Sequence, residues 1–315
     1  MAAFDLTADS KPAPFRISRT TRDILSGTAG GITQVLVGQP FDIVKVRLQT
    51  APAGTYGGMG DLVKKIIANE GPAAFYKGTL TPLLGVGLCV SIQFGVVEHL
   101  KREFSKSNAQ RAGISAGSAA SLSLGQLYMA GAAAGLANAF VAGPIEHIRI
   151  RLQTQTTKLY TGPLDCFSKI TAAAGPTGIF RGMVPTLFRE GVGLGTYFLV
   201  YESLVQWQLG RMGPNTTRAD LPTTSAMMFG GTAGVALWLS AYPFDVVKSR
   251  LQTDALQASS RQYAGPLDCA AQIMRTSGLR GFLKGLGPTL VRAPIANAAT
   301  FVAFEAAARN LDKFV

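Results

Sequence analysis

The sequence predicts an all-α membrane protein: three tandem modules, each with two membrane helices and one short amphipathic helix, gathered around a water-filled cavity. Three observations carry this expectation. First, one pattern occurs three times, as Pro40-Phe41-Asp42-Ile43-Val44-Lys45-Val46-Arg47, Pro144-Ile145-Glu146-His147-Ile148-Arg149-Ile150-Arg151 and Pro243-Phe244-Asp245-Val246-Val247-Lys248-Ser249-Arg250, each followed by Leu-Gln-Thr. The copies stand about a hundred residues apart, too far for a solenoid of small repeats, so each belongs to a whole folding module. Second, 47% of the 315 residues are hydrophobic and 15% charged, with 36 glycines, a profile that suits a membrane protein. Third, Gly, Pro, Ser and Gln interrupt every candidate span, so no clean apolar run of about 18 residues stands out. A helix with lipid on one side and water on the other reads this way.

The elements follow in order. Residues 1–21 are polar, with Pro12 and Pro14, and read as a disordered tail; Asp5 and Asp9 do not suit a transit peptide. The modules are placed at 22–112, 123–213 and 222–315. Upstream of each motif proline lies a pair of glycines, Gly27 and Gly31, Gly131 and Gly135, Gly230 and Gly234, spaced to let helices approach closely in lipid. Pro40, Pro144 and Pro243 each remove a backbone hydrogen bond and bend their helix. In the same turn stand an acid and, three residues on, a base. Within one module this is a local pair worth a few tenths of a kcal/mol. Around a three-fold axis, Asp42 meets Arg149, Glu146 meets Lys248, and Asp245 meets Lys45, a ring of hydrated pairs of ~1 kcal/mol each.

After each motif come a Tyr/Gly loop and the short helix, with Asp61, Asp165 and Asp268 in its first turn, where an acid suits the helix dipole. Gly71, Gly175 and Gly278 stop that helix. The second membrane helices begin at Tyr76-Lys77-Gly78, Phe180-Arg181-Gly182 and Leu283-Lys284-Gly285, where free N–H groups beside a base can hold an anionic lipid. They run from about Thr79 to Glu98, Val184 to Glu202 and Gly287 to Glu305.

The net charge of +12 lacks the basic clusters of a nucleic-acid binder and points to anionic lipids or small anions. Cys89, Cys166 and Cys269 have neither disulfide nor zinc spacing; Cys166 and Cys269 hold equivalent positions and read as apolar filler. No metal cluster is expected. His99 and His147 are isolated, surface or structural residues. Asn215-Thr216-Thr217 fits a glycosylation sequon but no secretory signal precedes it. No nucleophile–base pair marks an enzyme.

The thrice-repeated proline–acid–base motif with its glutamine resembles the mitochondrial carrier family over essentially the whole chain. The resemblance implies six tilted helices in a three-fold pseudosymmetric barrel with three short matrix helices, monomeric and multi-pass in the inner membrane, both termini facing the intermembrane space. It makes the ion-pair ring a matrix gate braced by Gln49, Gln153 and Gln252, and it implies cardiolipin as a structural lipid at the helix starts, with no other cofactor. A cytosolic gate would involve Glu98, Lys101, Tyr201, Glu202 and Glu305, but its pattern is complete nowhere, and only Lys101 with Glu305 could pair. Further departures are Ala174 and Ser277, where the family has an acid, and Leu283, where it has an aromatic residue.

The resemblance also places substrate contact points at Gly85, Arg189 and Arg292, with Val86 and Glu190 beside the first two. Arg189, Glu190 and Arg292 are charges inside hydrophobic helices, and such residues are functional candidates on physical grounds alone. Arg suits a carboxylate, Glu190 suits an ammonium, and Gly85 leaves room. An Arg–acid pair on the fourth helix resembles the amino-acid and acylcarnitine branch. Two Arg and one Glu complement two carboxylates and one ammonium, so the expected substrate is a zwitterionic or carboxylate solute, glutamate-like. A carnitine or acylcarnitine carrier, an ornithine or basic amino-acid carrier, and a non-transporting receptor are the alternatives; Gln39, where carnitine carriers have His, speaks against the first.

Overall fold

The computed structural model describes residues 18–52, 54–113, 122–213 and 216–314. Residues 1–17 of the expected tail, and Asn215 of the sequon, lie outside the described residues. Among those described there are nine α-helices and no strand: α1 Arg19–Thr50, α2 Met59–Glu70, α3 Leu80–Arg111, α4 Leu124–Thr154, α5 Pro163–Ala174, α6 Met183–Met212, α7 Thr223–Thr253, α8 Pro266–Gly281 and α9 Leu286–Leu311. Six of them have 26 to 32 residues. At about 1.5 Å per residue each outreaches a hydrocarbon core of roughly 30 Å. Two stretches, Pro72–Arg111 and Leu124–Thr154, also qualify as spans on mean hydropathy, at 1.9 and 1.2. The remaining long helices are diluted by polar residues, as the interrupted pattern predicts.

Several boundaries differ from expectation. Helix α1 begins at Arg19, inside the segment read as tail, and Ser18 Oγ accepts from the Thr21 N–H at 3.1 Å, as a cap does. Helices α3, α6 and α9 run past Glu98, Glu202 and Glu305. The added turns of α3 are polar and held by Lys101–Glu98 and Lys106–Glu103 pairs at 3.4 and 2.8 Å, spacings that support helix outside a membrane. Helices α1, α4 and α7 continue through Pro40, Pro144 and Pro243, and α9 contains a fourth interior proline, Pro294.

The short helices dock on the motif helices through three small cores. Leu62 and Ile66 meet Ile43 and Val44; Cys166 and Ile170 meet Leu152 and Ile179; Cys269 and Ile273 meet Val246, Val247 and Leu251. Both cysteines are filler, as expected, and burial pushes their thiols up to about 11 and about 12. Asp61, Asp165 and Asp268 each accept from a backbone N–H four residues upstream, at Gly57, Thr161 and Ala264, all at 2.9 Å. Their first-turn position thus also closes the preceding loop. Helices α2 and α5 stop at glycines with positive φ, 79° at Gly71 and 72° at Gly175, and α8 is broken by a kink at Gly278, where φ is 59°, a region that disfavours side chains.

The chain forms two compact units. One comprises residues 38–294; the other comprises the described parts of residues 1–37 and 295–315. Within the larger unit α3 packs on α4, α4 on α6 and α6 on α7. Here Gly131 and Gly135 act as predicted: a Cβ would lie 2.8 Å from Leu194 O and 2.2 Å from Glu190 O, so only glycine admits this approach of α6. In the other two modules the expectation fails. Gly27, Gly31 and Gly234 face open space, and Gly230 comes no closer than 3.8 Å to Tyr197 Oη. Within the smaller unit Gly30 makes the close approach instead, where a Cβ would lie 3.2 Å from Thr300 O, and Arg22–Asp312 and Gln34–Asn297 contacts at 2.8 and 3.3 Å tie α1 to the turn after α9 and to α9 itself.

Beneath α2, Glu70 bridges Arg47 and Lys77. The Arg47 guanidinium holds the Glu70 carboxyl below its usual range, Lys77 adds to this, and partial burial opposes both. A carboxyl lowered on folding stabilises above its unfolded pKa of about 4.3 and loses that contribution as pH falls through the folded value. Glu70→Gln is therefore expected to lower the melting temperature of the purified protein at pH 7, with the gap to wild type closing below pH ~4. A gap independent of pH would show that the charge is not what matters.

Candidate functional site

The three motif turns bring their charges together within the larger unit. Arg149 Nη2 lies 2.6 Å from Asp42 Oδ2, Lys45 Nζ lies 2.8 Å from Asp245 Oδ2, and Lys248 pairs with Glu146. Each acid thus meets the base of the next module, in the pairing expected of the ring. The pairs are drier than expected. Side-chain exposure is 4% at Asp245 and 3% at Lys248, rising to 26% at Glu146. For the Lys45–Asp245 pair, dry on both sides, the estimate of ~1 kcal/mol for hydrated pairs does not apply; deleting one partner strands a charge and costs about 3–5 kcal/mol.

The expected glutamine brace is present once. Gln49 Nε2 donates to Asp245 Oδ2 at 2.8 Å. Gln252 bonds the Gly143 carbonyl at 3.5 Å, and the Gln153 amide nitrogen has no partner; neither touches a ring charge. Both sit where α3 and α6 of the preceding modules' second halves press in: a Cβ on Gly78 would lie 3.4 Å from Gln153 Cγ, and one on Gly182 3.0 Å from Gln252 Cγ. Packing, rather than the ring, engages their stems. Gln39, just before the motif proline, was weighed only as a substrate marker. It is fully buried, accepts from Arg149 Nη2 at 2.9 Å and donates to Lys77 O at 2.9 Å, so it bonds one side of the Asp42–Arg149 pair.

The contact-point arginines reach the same carboxylates. Arg189 on α6 donates to both oxygens of Glu146 at 2.9 and 2.8 Å, pairs with Glu190, and stands 3.9 Å from Asp245. Arg292 Nε lies 2.9 Å from Asp42 Oδ1, and a Cβ on Gly38 would clash with its guanidinium at 2.8 Å. Substrate candidates and ring are therefore one cluster: Lys45, Arg149, Arg189, Lys248 and Arg292 against Asp42, Glu146, Glu190 and Asp245. It carries one excess positive charge, which favours an anion.

Two cavities of about 240 Å³ each flank this cluster. One is lined by the ring, Arg189, Arg292 and Trp238, whose ring holds the Lys45 ammonium 4.4 Å from its centroid. The other is lined by Gly85, Val86, Cys89, Gln93, Asn138 and Glu190, among others. Gly85 does not leave room in the way expected, because a Cβ there would lie 3.1 Å from the Ile145 side chain; Gly85 serves the packing of α3 on α4. Asn138 is buried, donates to Glu190 Oε2 at 3.1 Å, and leaves its own oxygen unpartnered. An interior Asn one helix away from an acid carries no spacing signal, and sequence reading missed it. Trp238 was missed for the same reason.

The expected cytosolic-gate residues find local partners. Lys101 pairs with Glu98 on α3, Glu305 pairs with Arg309 on α9, and Tyr201 stacks on Tyr197 with centroids 6.2 Å apart. Glu202 is buried and paired with Arg218 from the α6–α7 connection, a partner outside the repeat pattern. His147 is structural and buried. Its Nδ1 lies 2.9 Å from Ile179 O and its Nε2 accepts from Arg151 at 2.9 Å, which puts the proton on Nδ1. No group of residues able to hold a metal ion occurs among the described residues.

A family model described as mitochondrial carrier protein matches residues 18–108, 120–211 and 219–314. Among curated relatives, the glutamate/glycine mitochondrial carrier ymc1 of Schizosaccharomyces pombe is 48% identical over 94% of this chain and 96% of its own length. The mitochondrial glycine transporter YMC1 of Saccharomyces cerevisiae is 48% identical over 93% of this chain and 92% of its own. The human mitochondrial basic amino acids transporter is 41% identical over 89% and 87%. With all three modules matched and near half-identity along almost the entire chain, this protein belongs to the mitochondrial carrier family, the all-α carriers of three repeats and six spans in the mitochondrial inner membrane.

Proposed function

We propose that the chain moves a small zwitterionic amino acid, glutamate-like, across the mitochondrial inner membrane by alternating access. One observation carries this: Arg189 and Glu190, adjacent on α6 and half-buried beside two cavities, offer a carboxylate partner and an ammonium partner at one point. Arg292 is the partner for a second carboxylate. The names of the fungal relatives, which include glutamate and glycine, support the same class; glycine would use Arg189 and Glu190 alone.

The mechanism follows from shared partners. Glu146 is held by both Lys248 and Arg189, and Asp42 by both Arg149 and Arg292. A substrate carboxylate that takes Arg189 or Arg292 removes one of the two cations from a ring acid. That loosens the ring by its differential interaction with the closed and open states. The matrix gate is formed by the six ring residues and the cytosolic side by Glu98, Lys101, Tyr201, Glu202 and Glu305. Six spans put both termini on one side of the membrane, here the intermembrane space. Cardiolipin is the proposed structural lipid, and the working unit is a monomer.

A second reading has a specific observation in its favour. A basic amino acid needs a second carboxylate, and Glu146 lines the same cavity as Glu190; the human relative is named a basic amino acids transporter. Uptake of radiolabelled glutamate, glycine, ornithine and carnitine into liposomes holding the purified protein separates the readings. Exchange of ornithine but not glutamate would overturn the first, and no exchange of any of them would favour a receptor.

Three variants test the roles in the same assay. Arg189→Ala is expected to abolish uptake of every substrate in protein recovered at normal yield; near wild-type uptake removes it from the site. Arg292→Ala is expected to lower glutamate uptake about ten- to hundred-fold, the worth of a charged hydrogen bond, while sparing glycine; equal losses count against a second-carboxylate role. Glu190→Lys is expected to reduce amino acids more than simple dicarboxylates, and uniform loss would deny Glu190 its ammonium.

A further inference from the structure

Two amide side chains face the cavity between α3 and α4 and take no part in the pairing of ring charges. These helices run antiparallel. A Cβ on Gly85 would lie 3.1 Å from Ile145, and further along Asn108 and Gln126 exchange two hydrogen bonds at 2.9 Å. About two helical turns on from the Gly85–Ile145 contact, α3 presents Gln93 and α4 presents Asn138. Both line, with Glu190 of α6, the cavity of about 240 Å³.

Asn138 is 2% exposed. Its Nδ2 donates to Glu190 Oε2 at 3.1 Å, while Arg189 takes the other oxygen of Glu190. A carboxylate only accepts, so it fixes which way round the amide stands; a flip would set two oxygens against each other. The Asn138 oxygen is thereby turned from Glu190, and no donor meets it. A buried carbonyl without a donor is costly, and few are kept in folded proteins. Gln93, half-buried on the facing helix, makes no hydrogen bond with any described residue. Val90, Ala142 and Ile145 line the same cavity, and apolar walls of this kind strengthen the polar contacts made beside them.

An ammonium has three N–H donors and no acceptor. Glu190 offers it a counter-charge, and the two amide oxygens offer two more acceptors. We propose, on the amino-acid reading of the site given above, that Asn138 and Gln93 are specificity residues: together with Glu190 they take the three N–H groups of a primary ammonium. Charge alone does not select here, because Glu190 attracts a primary and a trimethylated ammonium alike. The amides do select. A trimethylammonium has no N–H and would cover both carbonyls without bonding either, and a site built on hydrogen bonds strongly rejects an analogue that lacks them. The cavity therefore admits amino acids and excludes betaines, carnitine esters among them.

The test is a methylation series in liposomes holding the purified protein. Glycine, N-methylglycine, N,N-dimethylglycine and N,N,N-trimethylglycine compete with labelled glycine for uptake; each step keeps the carboxylate and removes one N–H. Wild type is expected to bind more weakly at every step. Asn138→Leu keeps the branched shape and removes the acceptor. In it glycine is expected to bind about ten- to hundred-fold more weakly, and N-methylglycine about as well as glycine, since two N–H groups satisfy the two acceptors left. A purely structural role for Asn138 would weaken all four compounds together and leave the steps as they were; that result overturns the proposal, as does a wild type that binds trimethylglycine as well as glycine. If Asn138→Leu is not recovered folded, Gln93→Met on the opposite helix is expected to close the same first step, and an unchanged series there overturns the proposal too. A wild type that exchanges neither glycine nor glutamate overturns the amino-acid reading itself, and this assignment with it.

Discussion

Buried carboxylates cannot be left without a cation, and the centre of this protein is organised by that constraint. Asp245 is buried and Asp42 and Glu146 are half-buried, so a lone charge on any of them is costly to leave uncompensated. Each has two cationic neighbours. Asp42 meets Arg149 and Arg292, Glu146 meets Lys248 and Arg189, and Asp245 meets Lys45 with Arg189 at a longer 3.9 Å. One neighbour comes from a motif helix and the other from a module's second membrane helix, α6 or α9. Ring and proposed substrate arginines therefore cannot be treated as separate layers of charge.

This sharing reconciles strong pairs with a gate that has to open. A ring of buried, exclusive pairs would cost several kcal/mol per acid to separate. Where each acid already has a second cation, its charge can stay compensated as one contact is lost. A solute whose carboxylate competes for the second cation then alters the balance between states, which is how binding energy can be turned into conformational change. Helix α6 is central to this because Arg189 and Glu190 lie on the face that Gly131 and Gly135 bring against α4. The cytosolic-side candidates differ: Glu98 and Glu305 satisfy themselves along their own helices, and Glu202 is held by Arg218.

Much of this was legible from the chain because the repeat multiplies weak signals. One acid–base spacing means little, but three copies behind three prolines specify a symmetric ring, and all three inter-module pairs are present. The glycine pairs show the limit of that reasoning. Equal spacing suggested equal packing, yet only Gly131 and Gly135 lie so close to another helix that a side chain would clash, since close contact depends on what stands opposite. Helix ends were misjudged where polar turns of α3 continue past Glu98 on local ion pairs. Gln39, Asn138 and Trp238 act on charges contributed by other helices, so no local pattern marks them.

By itself the sequence determined the modules, the prolines, the charges of the ring and the arginines inside the membrane helices, because residue types at fixed intervals constrain helix faces directly. Tertiary structure alone decided which cation serves which carboxylate, that Gly85 packs against Ile145, that Gln49 but not Gln153 or Gln252 reaches the ring, and that Asp254 pairs with Arg181, whose own module has Ala174 in place of an acid. Those outcomes depend on distances of a few ångströms between segments a hundred residues apart. Electrostatic and packing energies change steeply over that range, and the chain encodes them only through the fold as a whole.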